Sequence, residues 1–261
     1  MMTTQEKKEA GMPQETGKDA EVIEVRNLHK SFGKNQVLQG VDLSVRKGEN
    51  LVVLGKSGSG KSVLIKCMVG LVIPDEGSIR LLGEQVIGIS GKQLNALRVK
   101  IGFLFQGAAL YDSMTVRQNL EFPLRRHRKE LSRAELLEKT EEALENVGLR
   151  EAVNKMPSEL SGGMKKRIGL ARTLILDPDI ILYDEPTTGL DTITSKEISE
   201  LIREMQERKK VTSIIITHDM ACARHTGDRI TVLRDGKIAS EGSYEQLEQS
   251  EDEWIRSLFS Y

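Results

Sequence analysis

One stretch of the chain has the residue types and spacing of a phosphate-binding loop. Residues 55–62 read GKSGSGKS and lie between two apolar runs, Leu51–Leu54 and Val63–Ile65, so a strand, a glycine loop and a helix are predicted in that order. Glycines let the backbone curl so that successive N–H groups point at an anion, and the helix adds its positive end to the same site. The loop residues that we expect to contact a nucleotide are Gly55, Lys56, Ser57, Gly58, Ser59, Gly60, Lys61 and Ser62.

Within that loop, two side chains are suited to separate tasks. Lys61 is placed to reach the β- and γ-phosphates, and the Ser62 hydroxyl is placed to hold Mg²⁺. The loop therefore predicts binding of a nucleotide together with Mg²⁺.

Two adjacent carboxylates, Asp184 and Glu185, follow the apolar run Ile180–Tyr183. The end of such a buried strand lies at the carboxyl edge of a parallel sheet, where ligands bind in open α/β folds. Asp184 suits coordination of Mg²⁺, and Glu185 suits activation of a water for attack on the γ-phosphate. The alternative interpretation is an ordinary acidic strand end before the turn at Pro186.

Two further polar residues end predicted strands at the same edge. His218 follows the apolar run 214–216 and is placed to contact a γ-phosphate, although a single histidine is often structural. Gln106 follows the predicted strand 101–105 and is placed to reach Mg²⁺ or the attacking water. We assign Gln106, Glu185 and His218 to the catalytic group, and Ser62, Gln106 and Asp184 to the metal.

A second helix start also has the composition of an anion site. Ser161 is a predicted N-cap, and Gly162 and Gly163 allow close approach of an anion. The alternative interpretation is a simple cap followed by flexible glycines. Because one nucleotide does not need two such loops in one chain, the second loop predicts a dimer whose sites are shared across the interface.

The elements around these motifs predict an α/β fold with a mostly parallel core sheet. Strands and helices alternate after Ser161, whereas Val22–Val25 and Val41–Val45 have the alternation of an antiparallel sheet. A helical block over about 91–160 interrupts the α/β order, with Ser132 and Glu135 as a predicted capping box. Residues 1–20 predict a disordered tail, 21–261 one nucleotide-binding domain, and about 243–260 C-terminal helices.

Composition limits the class of protein. The 261 residues carry a net charge of −1, which argues against a protein that coats nucleic acid. No apolar run approaches the roughly 18 residues of a membrane span, and the N-terminus lacks the apolar segment of a signal peptide. Cys67 and Cys222 are far apart and predict buried, reduced thiols. The basic run 125–129 favours a solvated helix end, with acidic lipid or a partner as the alternative.

Taken together, these motifs resemble the ATP-binding subunits of ABC transporters, in the correct order from about 21 to 245. The resemblance implies a P-loop NTPase fold with an antiparallel β subdomain and an inserted helical subdomain. It also implies a head-to-tail homodimer that sandwiches two ATP molecules. It makes Gln106 the Q-loop glutamine, Glu185 the catalytic carboxylate and His218 the switch histidine. Asp191 becomes the D-loop aspartate, and Phe32 stands where the family often has an adenine-stacking tyrosine.

Two segments indicate which group of ABC transporters the chain resembles. The signature is LSGGMKKR over 160–167 rather than the commoner LSGGQ type, and 103–125 reads FLFQGAALYDSMTVRQNLEFPLR. Both are similar to the ATPases of MCE-type phospholipid transporters, the Mla group. This implies an integral-membrane permease as partner, a membrane-anchored lipid-binding MCE subunit as a further partner, and a peripheral location on the cytoplasmic face of the inner membrane. Thr192, where proline is common, is expected to have little consequence.

Two other functions compete with phospholipid transport. The same machine with a permease for an amino acid, a metal chelate or a drug would need the same ATPase motifs. A soluble ABC ATPase acting on nucleic acid or ribosomes usually has two cassettes or a long coiled-coil insertion, and this chain has one cassette and a modest helical block.

Overall fold

The computed structural model describes residues 20–259, so all of the predicted tail except Ala20 lies outside the described residues. Within this part there are ten strands, β1 to β10: Glu21–Phe32, Asn35–Arg46, Asn50–Leu54, Glu76–Leu81, Glu84–Gln85, Ile101–Leu104, Ile180–Asp184, Thr212–Thr217, Arg229–Arg234 and Lys237–Gly242. The same part has nine α-helices, α1 to α9: Lys61–Met68, Gly91–Val99, Val116–His127, Arg133–Glu145, Gly162–Leu174, Thr192–Lys209, Met220–Thr226, Tyr244–Glu248 and Glu253–Leu258.

A six-stranded sheet forms the centre of the molecule, in the order β10-β9-β3-β8-β7-β6. The pairs between β9, β3, β8, β7 and β6 are parallel, and only the edge strand β10 is antiparallel to its neighbour. Strands β3, β7 and β8 are buried along their whole length, as expected for a parallel sheet covered on both faces. Their carboxyl ends therefore meet at one edge, which confirms the predicted mostly parallel core.

A second, antiparallel sheet has the order β2-β1-β4-β5. The turn at Gly33 joins β1 to β2, and Phe32 pairs with Asn35 across it. Apolar residues of this sheet pack with α1 and with one face of the core sheet, through Leu51 and Val53 of β3. The predicted antiparallel subdomain is thus present and covers one face of the centre.

The opposite face of the core sheet is covered by helices. Alternate residues of the same strands, such as Val52 and Leu54 of β3, pack here against α3, α5 and α6. Because side chains alternate across a strand, each buried strand supplies both hydrophobic cores. The described part of the chain therefore has three layers: the antiparallel sheet with α1, the core sheet, and the helices on the opposite face.

The helical block contains the capping box that its sequence predicts. Glu135 N donates to Ser132 Oγ at 3.3 Å, and Ser132 N donates to a Glu135 carboxylate oxygen at 2.8 Å. Strand β6 lies in this stretch of sequence but pairs with β7 in the core sheet. Leu137, which the helical spacing placed among the apolar residues, is 37% exposed on α4.

The basic run at the end of α3 is largely solvated. Arg125 pairs with Glu121 at 2.7 Å on the same helix, and Arg128 donates to Leu176 O at 3.4 Å. Arg126 and Lys129 are exposed. Within residues 20–259, no helix is both long enough and apolar enough to cross a membrane.

Candidate active site

The glycine loop between β3 and α1 adopts a conformation that its glycines make possible. Gly58 and Gly60 have φ angles of 81° and 103°, in the left-handed region that other residues rarely adopt. A Cβ at Gly60 would also lie 2.8 Å from Val37 O, and a Cβ at Gly55 would lie 2.5 Å from Leu233 O. Larger residues at these two positions would therefore clash with the backbone of β2 and β9.

Lys61, the first residue of α1, folds back over this loop. Its ammonium donates to Gly55 O at 2.6 Å and Lys56 O at 3.1 Å, and it lies 3.7 Å from Glu185 Oε1. The side chain is only 6% exposed, and desolvation by burial lowers the pKa of its ammonium although Glu185 and Asp184 oppose this effect. The loop thus presents a desolvated cation beside the carboxyl edge of the sheet.

Ser62 and Asp184 come together from α1 and β7. The Ser62 hydroxyl donates to Asp184 Oδ1 at 3.0 Å. Burial raises the pKa of the Asp184 carboxyl, and the Ser62 hydrogen bond and the charges of Lys66 and Lys166 lower it in part. A hydroxyl and a desolvated carboxylate are the hard oxygen donors that Mg²⁺ prefers, so this pair fits the metal that the sequence predicts.

Glu185, directly after β7, is held in an unusual backbone conformation. Its φ is 51°, which costs a residue with a side chain on the order of 1 kcal/mol. Its N–H donates to Ile216 O at 3.0 Å. Its Oε2 accepts a hydrogen bond from the Thr188 hydroxyl at 3.0 Å and lies 2.8 Å from His218 Nδ1. The fold therefore fixes both the backbone and one carboxylate oxygen of Glu185.

A cavity of about 490 Å³ opens at this edge of the sheet and brings most of the predicted residues together. This volume lies within the range of small-ligand sites, roughly 300–1,000 Å³. Its lining residues come from five separate parts of the chain: Phe32, Val37, Ser57, Gly58, Gly60, Lys61, Ser62, Val63, Gln106, Glu185 and His218. Phe32 is 51% exposed, so part of its ring is accessible to a ligand, and the Lys30 ammonium lies 5.3 Å from the ring centre.

The remaining loop residues, Gly55, Lys56 and Ser59, do not line this cavity. Gly55 and Lys56 supply the two carbonyl oxygens that Lys61 contacts. The Ser59 hydroxyl oxygen is buried and has no hydrogen-bond partner among the described residues. The Lys56 ammonium lies 5.6 Å from the ring centre of Trp254 on α9. The outer side of the loop is therefore packed against the C-terminal helix.

Ser161, Gly162, Gly163 and Asp191 do not line the cavity of their own chain. Ser161 Oγ accepts from Met164 N at 3.2 Å and caps α5, whereas Asp191 Oδ1 accepts from Thr194 N at 3.0 Å and caps α6. A Cβ at Gly163 would lie 2.5 Å from Thr194 Cγ2, so the two capped helix starts touch. The structure groups these residues at a second place on the surface.

Sequence reasoning missed two residues of the site. Thr188 donates to Glu185, and the buried Lys166 on α5 donates to Glu185 O at 3.0 Å. The signal for Thr188 was its position three residues after Glu185, within reach across a turn. The signal for Lys166 was its spacing of three and four residues from Gly169 and Leu170, which places it on the buried face of α5.

Geometry of this kind supports phosphoryl chemistry. A glycine loop with a desolvated lysine can cradle phosphates, and a hydroxyl with a carboxylate can hold a divalent metal. A fixed glutamate beside a histidine can orient and deprotonate a water. All these groups lie at one edge of the sheet.

The family model described as "ABC transporter" matches residues 38–188 of the chain. The chain is 41% identical to the protein TRIGALACTOSYLDIACYLGLYCEROL 3, chloroplastic, of Arabidopsis thaliana, over 89% of this chain and 72% of the relative. It is also 41% identical to the probable ribonucleotide transport ATP-binding protein mkl of Mycobacterium leprae, over 91% and 68%. It is 39% identical to the intermembrane phospholipid transport system ATP-binding protein MlaF of Haemophilus influenzae, over 88% and 87%.

A solved structure has the same fold. The dimeric post-hydrolysis state of the ATP-binding cassette MJ0796, bound to ADP and Pi, superposes with a TM-score of 0.78 at 33% identity. The superposition covers 85% of this chain and 98% of the other.

Proposed function

The chain belongs to the ABC transporter family, and from this membership we propose that it powers phospholipid transport through a separate membrane permease. It is an ATPase subunit of that family, with an α/β P-loop fold, and it uses nucleotide. The observation that carries the ATPase role is the convergence of Lys61, Ser62, Gln106, Glu185 and His218 on one cavity.

Within the cavity, we assign phosphate binding to the glycine loop and Lys61. The Lys61 ammonium donates to two loop carbonyl oxygens and lies 3.7 Å from Glu185 Oε1. When ATP binds, it would exchange these partners for phosphate oxygens. Phe32 would stack on the base through the exposed part of its ring. Ser62, Asp184 and Gln106 would hold Mg²⁺, which when bound would neutralise charge on the phosphates.

Hydrolysis requires a water that is oriented and deprotonated, and Glu185 is the proposed base. Its Oε2 is engaged by Thr188 and His218, which leaves Oε1 toward the cavity once Lys61 binds phosphate. His218 is 59% exposed in its side chain and is placed between Glu185 and the solvent, where a γ-phosphate would lie. Gln106 would complete the contact to the water.

The second surface group, with Ser161, Gly162, Gly163 and Asp191, is proposed to serve a second copy of the chain. These residues lie outside their own cavity, and α5 offers a capped N-terminal end there. The relative MJ0796 is a dimer in its solved structures. A head-to-tail homodimer would place this end on the nucleotide held by the partner, and nucleotide binding would close the dimer.

Phospholipid is the proposed cargo because the relatives include MlaF, whose name gives intermembrane phospholipid transport. The permease partner, the MCE-type lipid-binding subunit and a peripheral place on the cytoplasmic face of the inner membrane are part of the same proposal. Other relatives of similar identity carry the names of ribonucleotide transport and methionine import, so another cargo is the competing candidate.

The test is to express the full chain with the permease encoded beside it and to purify the complex through a tag on the chain. We expect the permease to co-purify and phospholipid vesicles to raise the ATPase rate of the complex. Absence of any permease would contradict the transporter role. Stimulation by methionine or a nucleotide, with none by phospholipid, would assign another cargo, and binding to duplex DNA or rRNA on a filter would favour the soluble alternative.

A further inference from the structure

Lys166 is a buried cation next to the proposed catalytic base. It lies in the second turn of α5 and is 5% exposed. Its ammonium donates to the backbone oxygen of Glu185 at 3.0 Å. A hydrogen bond from a charged donor is roughly twice as strong as a neutral one, so this contact is a strong tie between α5 and the end of β7.

The charges around Lys166 are consistent with its hydrogen bond to the Glu185 carbonyl. Burial lowers the pKa of the Lys166 ammonium, while the charges of Asp184 and Glu185 raise it and so oppose loss of the proton. A lysine buried among apolar residues would be costly without such partners. The two carboxylates of the site and the Glu185 carbonyl thus compensate the buried charge.

Glu185 has a backbone conformation that needs support on both sides. Its φ is 51°, in the left-handed region. On the amino side, its N–H donates to Ile216 O at 3.0 Å. On the carboxyl side, its C=O accepts from the Lys166 ammonium at 3.0 Å and, over a longer distance of 3.3 Å, from Thr188 N. With both flanking peptides fixed, the direction in which the Glu185 side chain leaves the backbone is fixed as well.

We propose that Lys166 is a positioning residue for ATP hydrolysis, which holds the Glu185 peptide from α5 so that the carboxylate points at the attacking water. The inference rests on the proposed role of Glu185 as the base. Lys166 connects Glu185 to α5, a connection that the cavity residues do not provide. The N-terminal end of α5, capped by Ser161, is the end proposed to contact the partner's nucleotide. Movement of that helix would reach Glu185 through one side chain.

The experiment compares Lys166→Met, which keeps the length and removes the donor, with Lys166→Arg, which keeps a charged donor. Lys92→Met is the matched control, since Lys92 is exposed on α2 and has no side-chain hydrogen bond or ion pair within residues 20–259. For each full-length variant we would measure kcat and KM for ATP, the affinity for ATP and the thermal midpoint. The complex with the permease is used if it is the more active form.

We expect Lys166→Met to lower kcat about tenfold to a hundredfold, with KM and ATP affinity within about twofold, because misplacement of a reacting group acts on turnover. Lys166→Arg should recover a large part of the rate, and Lys92→Met should match the parent. A parent kcat in Lys166→Met, or a change confined to KM, would overturn the proposal.

A double-mutant comparison shows whether Lys166 acts through Glu185. If it does, adding Lys166→Met to Glu185→Gln should cause no further loss of the residual rate. A loss as large as in the parent background would mean that Lys166 acts elsewhere. If instead Glu185→Gln alone leaves the rate unchanged, the proposed function of Glu185 fails, and that result is distinct from either outcome for Lys166.

Hydrogen exchange gives a readout that needs no turnover. The amide of Glu185 should exchange faster in Lys166→Met, while the amides of β8 keep their protection. Equal exchange of the Glu185 amide in the parent and the variant would refute the positioning role. General acceleration across β8 would show a structural role only.

Discussion

At the scale of single residues, the site divides the two oxygens of Glu185 between different tasks. Oε2 is occupied by Thr188 and His218, whereas Oε1 lies 3.7 Å from the ammonium of Lys61. A ligand that draws Lys61 onto phosphate would release Oε1 toward the cavity. Binding of the nucleotide and exposure of the base are then coupled through one lysine.

Replacing Glu185 by Gln tests the proposed base. The amide keeps the shape and can still interact with Thr188 and His218 but cannot take a proton from water. We expect ATP to bind with the parent affinity, the turnover to fall about a hundredfold or more, and ATP to hold the chain as a closed dimer. Steady-state ATPase rates and light scattering with ATP measure this. The exposed Glu204 on α6 provides the control Glu204→Gln, and turnover at the parent rate in Glu185→Gln would refute the assigned role.

Lys61→Ala tests the phosphate contact. Loss of a buried charged donor to phosphate should weaken ATP binding about tenfold to a hundredfold, since such hydrogen bonds contribute about 1.5–3 kcal/mol. Titration calorimetry with ATP and Mg²⁺ measures the change. Lys92→Ala, at an exposed position on α2, is the control. An unchanged dissociation constant in Lys61→Ala would mean that the loop does not bind the phosphates through this residue.

At the scale of elements, α5 holds the segment that carries Gln106. The guanidinium of Arg172 donates to Ala108 O and Ala109 O, each at 2.9 Å. Both alanines have positive φ angles, 59° and 49°, so the segment is held in a conformation that alanine does not favour. The same helix thus reaches two parts of the site, Gln106 through Arg172 and Glu185 through Lys166.

Replacing Arg172 by Met should loosen that segment without unfolding the domain. We expect faster hydrogen exchange of the amides in 106–112 and a lower ATPase rate. The variant loses the planar guanidinium that binds two carbonyl oxygens at once. Arg172→Lys should restore little, since one ammonium cannot reproduce the fork. Arg126→Met, at an exposed position on α3, is the control. Parent-like exchange over 106–112 in Arg172→Met would contradict this view of the segment.

At the scale of the whole molecule, the two hydrophobic cores share the strands of the central sheet. Cys67 lies in the core between that sheet and the antiparallel sheet, and Cys222 lies in the core on the helical side. They are 0% and 1% exposed. Because β3, β7 and β8 supply both cores, we expect the two cores to be lost together.

The thiols can report this directly. In native protein at pH 8 neither cysteine should react with a thiol reagent, and in guanidinium both should become reactive over the same range of concentration. The variants Cys67→Ser and Cys222→Ser, each with one thiol left, separate the two reports. Reaction of one thiol well before the other would show that the layers unfold independently.

Alkaline pH should weaken the fold through the same residues. Burial raises the pKa of both thiols to about 11 from an ordinary value near 9. A thiol whose pKa is raised on folding keeps its proton in the folded state while the unfolded chain loses it. The stability that these groups contribute is therefore present below about pH 9 and is lost as the pH rises toward 11. Urea unfolding at pH 8, 9.5 and 10.5 would measure the fall in the free energy of unfolding.

Much of the site could be predicted from the sequence because its signals are local. The glycine loop, the apolar strand before Asp184 and the capping box at Ser132 depend on neighbours within a few residues, where backbone sterics and periodicity decide the conformation. The carboxyl ends of parallel strands meet at one edge, so Gln106, Glu185 and His218 could be expected together.

Other features were decided only by tertiary structure. The sequence does not show that Glu185 adopts a left-handed conformation, or that Lys166, 19 residues away, binds its carbonyl. It also does not show that the helix capped by Asp191 contacts the start of α5, through Thr194 and Gly163, away from the cavity of the same chain. Such contacts depend on the distances between elements, and these are set by how the three layers pack. The sequence alone determined which residues have the chemistry for ATP hydrolysis, and packing determined which side chains hold them in place.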